Sequence, residues 1–124
     1  MAADGLVTLG SSYAPKETMK RLETDRIDHA AGAAEVGLSL RPTELLIFGN
    51  AKGGTPLMQS IQTIGIDLPL KILIWQDGAG NTWLSYNDPS WLAKRHRANH
   101  NVVATVTALT GALHALAKAA TGAQ

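Results

Sequence analysis

Two runs of apolar residues limit what this chain can fold into more than any other feature. They are Leu45-Leu46-Ile47-Phe48 and Leu70 to Trp75, the second interrupted only by Lys71. Both are too short for a buried helix, and turn-forming residues bound them. Such runs predict strands buried on both faces. The first strand is expected over Thr43 to Gly49 and the second over Leu70 to Trp75, directly after Pro69. Asp77-Gly78-Ala79-Gly80-Asn81 is a hairpin signal, and Thr82-Trp83-Leu84-Ser85-Tyr86 follows as a third strand.

The rest of the chain supplies helices for those strands. Leu6-Val7-Thr8-Leu9 predicts a short first strand ending at Gly10-Ser11-Ser12. Pro15 suits a first helical turn, and Met19 and Leu22 share a face of the amphipathic segment running to Glu23. Residues 28 to 40 are rich in Ala and Gly, and Ala33 to Leu38 fit either a loop or a weak helical turn. Thr55-Pro56 is expected to open a short helix through Leu57, Met58 and Ile61. Asp88-Pro89 places an N-cap and a first-turn proline before a helix running towards Arg97. Beyond it, Val102, Val106, Leu109, Leu113 and Leu116 recur three and four apart, a stripe expected to serve core or dimer packing. This order predicts a single α+β domain over residues 1–124, with helices on one face of the sheet and a long C-terminal helix.

Composition excludes several functions. Eleven Lys and Arg against ten Asp and Glu leave a net charge of +1, too little for a nucleic-acid binder that works by neutralising phosphates. With no cysteine there is no thiol catalysis, disulfide, iron–sulfur cluster or thiolate metal site. The opening Met1-Ala2-Ala3-Asp4-Gly5 lacks the basic and apolar regions of a secretory signal. No stretch is expected to reach the roughly 20 apolar residues needed to span a bilayer. The expectation is a cytoplasmic protein with no nucleic-acid or membrane partner and no cofactor.

Arg41-Pro42-Thr43-Glu44-Leu45-Leu46-Ile47-Phe48-Gly49-Asn50 runs into Lys52-Gly53-Gly54-Thr55-Pro56-Leu57-Met58. Together with Gly65 to Lys71 and Trp83 to Pro89, these segments resemble the family called domain of unknown function 302 over positions 5 to 97. The resemblance implies a TATA-binding-protein-like fold, a curved antiparallel sheet packed against helices, in proteins that are often homodimers. It implies no particular activity. It also implies a longer first helix and a fuller second strand before Ile27-Asp28-His29-Ala30-Ala31-Gly32 than this chain carries. About two helical turns and part of a strand are missing between Glu23 and Asp28, so the sheet is expected to lose a strand or expose an edge.

The candidate site lies in the turns at the strand ends. Asn50, Lys52, Gly53, Gly54 and Thr55 would bring N–H groups, a cation and a hydroxyl to a helix N-terminus, where a small anion or carboxylate can be held. The spacing is not that of a phosphate loop, and a tight turn with Thr55 as helix cap fits the same residues. Asp67 and Lys71 flank Leu68-Pro69-Leu70 as an acid–cation pair, either at a pocket mouth or fixing a loop. Tyr86 and Asn87 are candidate ligand donors, with Asp88 committed to capping. His29, beside Asp28, is a candidate pocket imidazole. His96 and His100 stand four apart, but Lys94, Arg95 and Arg97 crowd them with positive charge, so no metal is expected. Trp75, Trp83 and Trp91 suit core or pocket walls.

The leading expectation is a small-molecule-binding module, its ligand held by His29, Asn50, Lys52, Thr55, Asp67, Lys71, Tyr86 and Asn87. The alternatives are a small hydrolase or isomerase using Asp67 or His29 as acid or base, and a purely structural homodimer.

Overall fold

The computed structural model describes residues 5–15, 25–48 and 51–122. The helix expected from Pro15 to Glu23 therefore lies almost wholly outside the described residues. The elements in chain order are β1 (Leu6–Ser11), β2 (Asp25–Asp28), α1 (His29–Glu35), β3 (Thr43–Phe48) and α2 (Ala51–Ser60). A 3-10 turn (Gln62–Asp67), β4 (Leu70–Gln76), β5 (Thr82–Asn87) and α3 (Pro89–Arg95) follow. A second 3-10 turn (His100–Val102) leads into α4 (Val103–Thr121).

The described strands form one antiparallel sheet in the order β1-β5-β4-β3-β2. Its register sorts the side chains into two faces, because residues opposite each other point the same way. Leu46, Ile72 and Tyr86 lie in one row, with Ile74 and Leu84 in the next. All five are buried, and Ile72, Ile74 and Leu84 are at 0% exposure. Each contributes about 1.5–3 kcal/mol by burial. The helices cover this face with Leu57 from α2, Leu92 from α3, and Val106, Leu113, Ala117 and Ala120 from α4, while Ile64 comes from the first 3-10 turn. The α+β architecture expected from the element order is the one observed.

Among the described residues no helix covers the opposite face in this way. That face carries Ile27, Leu45 and Leu73 in one row, Asp25, Ile47 and Lys71 in a second, and Thr43, Trp75 and Trp83 in a third. Burial therefore alternates along β4. The apolar runs do not mark strands buried on both faces. They mark a sheet whose outer face is apolar and half-exposed.

The second strand survives as four residues at the sheet edge, all exposed. The helix after it, α1, occupies part of the stretch whose structure the sequence left open. Asp28 caps it by accepting from the Ala31 N–H at 2.9 Å, yet it buries no residue. Helix α2 also differs from expectation. It begins at Ala51, so Pro56 lies inside it and Thr55 cannot be its N-cap. α3 starts as expected, with the Asp88 carboxylate accepting from the Trp91 N–H at 3.1 Å and Pro89 in the first turn.

α4 uses its stripe at home. Val102, Val106 and Leu113 are buried, and Leu109 and Leu116 pack against the core. Its end is tied to β1, where the Ser12 N–H donates to the Thr121 carbonyl at 2.9 Å. The span His100–Thr121 is nevertheless long and apolar enough to cross a membrane by length and composition. This corrects the expectation that no stretch is long and apolar enough, because Ala adds to the apolar character of the segment beside its Val and Leu. In this fold Val102, Val106, Leu113, Ala117 and Ala120 of that span are buried, while Val103 is 61% exposed.

Candidate functional site

The polar network of most chemical interest forms where α3 ends against the first 3-10 turn. α3 stops at Arg95, His96 caps it, and Arg97 takes a positive φ of 57° that turns the chain away. The last turn of the helix thus presents Arg95 and His96 to Asp67, the final residue of the 3-10 turn, just before the cis Leu68–Pro69 peptide. Arg95 donates through one guanidinium nitrogen to Asp67 Oδ1 at 2.9 Å and Oδ2 at 3.0 Å. His96 Nε2 lies 2.5 Å from Asp67 Oδ2, and His96 Nδ1 lies 3.1 Å from Thr63 Oγ1. A carboxylate oxygen only accepts, so Nε2 carries the proton, and in the neutral ring Nδ1 accepts from the Thr63 hydroxyl. The side chains of His96 and Asp67 are 9% and 15% exposed, whereas that of Arg95 is 49% exposed. At that exposure the Arg95–Asp67 pair contributes about 0.2–1 kcal/mol.

Lys94, Arg97 and His100, all exposed, flank Arg95 and His96 in sequence, and no acid occurs between positions 94 and 100. Because the helix breaks at Arg97, His96 and His100 do not share a helical face. No group of three or more potential metal ligands is gathered among the described residues.

The candidates from the sequence are distributed unevenly. The pairing of Phe48 with Leu70 brings the end of β3 to the start of β4, and Ile72 pairs with Tyr86 near the end of β5. Asp67, Lys71 and Asn87 therefore lie towards one end of the sheet, with the first turn of α2 close by. At Gly54 an added Cβ would sit 3.6 Å from the Leu68 side chain, which links that turn to the segment holding Asp67. Lys52 and Thr55 are exposed on α2, and Asn87 is exposed at the end of β5. Lys71 points to the outer sheet face, opposite Ile47. Asp67 pairs with Arg95 and His96 in its place. Tyr86 faces the core, where burial, with a smaller contribution from the charge on Asp88, pushes its phenol above the ordinary value. His29 is exposed at the far end of the sheet, beside the start of β3. Asn50 lies outside the described residues.

Thr63, Arg95 and His96 were not singled out with Asp67 because their link is tertiary. Twenty-eight or more positions separate Asp67 from its partners, and no spacing signals that contact. Among the described residues no buried side-chain nitrogen or oxygen lacks a hydrogen-bond partner.

Residues 9–116 match the family model described as Domain of unknown function DUF302. The chain is a DUF302 protein. Its fold is shared with an uncharacterized conserved DUF302 protein from Bacillus stearothermophilus, known from a crystal structure. The TM-score is 0.83 at 19% identity, with 95% of this chain and 99% of that one covered. In an alignment of 102 positions that covers 74% of its length, this DUF302 chain is 51% identical to a protein of Brucella suis biovar 1 (strain 1330) named fluoride-specific ion channel FluC 1. The protein of the same name from Brucella abortus biovar 1 (strain 9-941) is equally similar. The match spans 40% and 38% of those two proteins.

Proposed function

We propose that this DUF302 domain is a small-molecule-binding module whose ligand is a small anion, held beside Arg95 and His96. The observation that carries the reading is that Arg95 and His96 converge on the Asp67 carboxylate from a stretch, positions 94 to 100, that holds Lys94, Arg97 and His100 as well and no acid. Asp67 fixes the Arg95 guanidinium and the His96 ring through one edge each. The half-exposed guanidinium keeps other donors for an anion, and a planar fork of five N–H groups suits that task. The relatives named as fluoride-specific ion channels contain this domain as a minor part of their length. In them it would sample the anion that the rest of the protein conducts.

The test is a titration of isotopically labelled protein with sodium fluoride, chloride, acetate and phosphate, following backbone amide shifts. Saturable shifts centred on Thr63, Arg95 and His96, abolished by Arg95→Ala and kept by Lys118→Ala, are expected. Shifts that never saturate, or that Arg95→Ala leaves unchanged, would refute the proposal.

The hydroxyl–imidazole–carboxylate chain favours a second reading, ester hydrolysis. Thr63 Oγ1 would bond to the acyl carbon while its proton passes to His96 Nδ1. The ester C–O bond would then break, with that proton going to the leaving alcohol, and water would release the acid. Hydrolysis of p-nitrophenyl acetate that survives both Thr63→Ala and His96→Ala counts against it.

A further inference from the structure

We propose that the Arg95–His96 site takes up a proton on His96 with each anion it binds, so that its ligand is in sum an acid. The inference rests on the anion-binding reading above and names what accompanies the anion.

Charge counting leads to it. The Asp67 carboxylate carries a single negative charge, and the Arg95 guanidinium already matches it, donating at 2.9 and 3.0 Å. With a neutral His96 the three groups have no net charge. An anion alone leaves them negative, and a proton alone on His96 leaves them positive. The two together restore the balance. The imidazole is 9% exposed and the carboxylate 15%, so solvent screens this corner less than an open surface.

The hydrogen bonds let His96 hold either charge where it stands. Its Nε2 donates to a carboxylate oxygen, which accepts from the ring in both states. Its Nδ1 lies 3.1 Å from Thr63 Oγ1, and a hydroxyl both donates and accepts. In the neutral ring Nδ1 accepts from Thr63, and in the imidazolium it donates to Thr63. Only the hydroxyl proton has to swing away, and Thr63 is exposed, so water can receive it. A backbone carbonyl in the place of Thr63 would suit the charged ring alone.

No second acid stands ready as counter-ion. α3 and the chain just after it bring Lys94, Arg97 and His100. The first 3-10 turn has no charged residue but Asp67. α2 reaches this region through Ser60, which accepts from the Asn99 N–H at 3.2 Å, and its one charged residue is Lys52. α4 has no titratable side chain before His114. The counter-ion of a charged His96 therefore comes from solution.

The experiment is calorimetric titration of the full chain with sodium fluoride and with sodium chloride, in two buffers of unlike ionisation enthalpy. The difference in heat between buffers counts protons taken up per anion. The series spans about pH 5.5 to 8, where an imidazole changes charge and neither anion does. The wild type is expected to take up protons on binding, and to bind on the order of tenfold more tightly at the acid end. In His96→Gln the carboxamide still donates to Asp67 and accepts from Thr63 but cannot charge, so binding stays at the weak level at every pH without proton uptake. His114→Gln, on exposed α4 surface, takes up protons as the wild type does. Wild-type binding without proton uptake, or uptake that persists in His96→Gln, overturns the proposal and leaves the anion site standing. Failure of both anions to bind at any pH refutes the anion site itself, and the proposal with it.

Discussion

Two helices in this domain begin with the same chemical device, and removing it should have opposite consequences. Asp28 caps α1 by accepting from the Ala31 N–H at 2.9 Å, and Asp88 caps α3 by accepting from the Trp91 N–H at 3.1 Å. α1 buries nothing, whereas α3 buries Pro89 and Leu92 and ends in the Arg95–His96 corner. Asp88 is 5% exposed, so Asp88→Ala loses a cap of about 1 kcal/mol and leaves a partly buried N–H without its partner, for about 1 kcal/mol more. For a domain of this size the unfolding entropy is roughly 0.26 kcal/mol/K, so 2 kcal/mol lowers Tm by about 8 °C. Asp28→Ala loses a similar bond, but α1 can fray without exposing the core, and the loss stays local. Its expected effect is under about 0.5 kcal/mol, or roughly 2 °C. Thermal unfolding followed by far-ultraviolet circular dichroism at neutral pH measures both. If Asp28→Ala lowers Tm as much as Asp88→Ala, packing does not decide what a cap contributes here, and the reasoning fails.

Two further predictions concern the turns. Gly5 and Gly80 both have positive φ, at 77° and 86°, but an added Cβ at Gly5 would lie 2.4 Å from the Trp91 ring and one at Gly80 meets nothing within 4 Å. Urea unfolding should show Gly80→Ala costing about 1 kcal/mol from backbone strain and Gly5→Ala about 3 kcal/mol, because it adds a clash; equal losses would refute the contact. The Trp83 indole N–H, then the Asn81 and Ala79 N–H groups, hold the Asp77 carboxyl below its ordinary value. A depressed carboxyl stabilises the fold above its unfolded-state value and loses that contribution as pH falls through its folded value. Asp77→Asn should therefore flatten the acid side of the stability–pH curve, leaving the slope due to Asp28, which is depressed in the same direction. An unchanged acid limb would show that the turn does not bind the carboxylate.

The parts of this fold that were legible in the sequence are those whose cause is local. β3, β4 and β5 announce themselves by apolar residues between turn-formers, and Asp88-Pro89 by a cap and a proline in sequence. What was lost depends on partners far along the chain. Asp25-Arg26-Ile27-Asp28 carries one apolar residue, and it is a strand because β3 lies beside it. α2 was placed four residues late, since Thr55-Pro56 looks like a helix start while Gly53 and Gly54 look like a turn. Leu57, at 3% exposure, anchors the whole segment as a helix. The apolar runs gave the strands correctly but not their burial, because a half-exposed apolar face reads like a covered one. Asp67 was assigned to Lys71 by proximity in sequence, although strand register sends Lys71 to the other side of the sheet.

The three tryptophans divide between those two sides. Trp75 and Trp83 stack on the outer face with ring centroids 6.2 Å apart and planes 28° from parallel, while Trp91 packs against the core. Two indoles this close couple their electronic transitions, so the pair should give the near-ultraviolet circular dichroism of the protein a signature that Trp91 alone cannot. Replacing Trp91 with Phe leaves an emission spectrum governed by the outer face. Replacing Trp75 and Trp83 leaves one governed by the interior. The sequence thus supplies its own pair of optical probes, one for each side of the sheet, and what happens on one side can be watched without a label while the other stays dark.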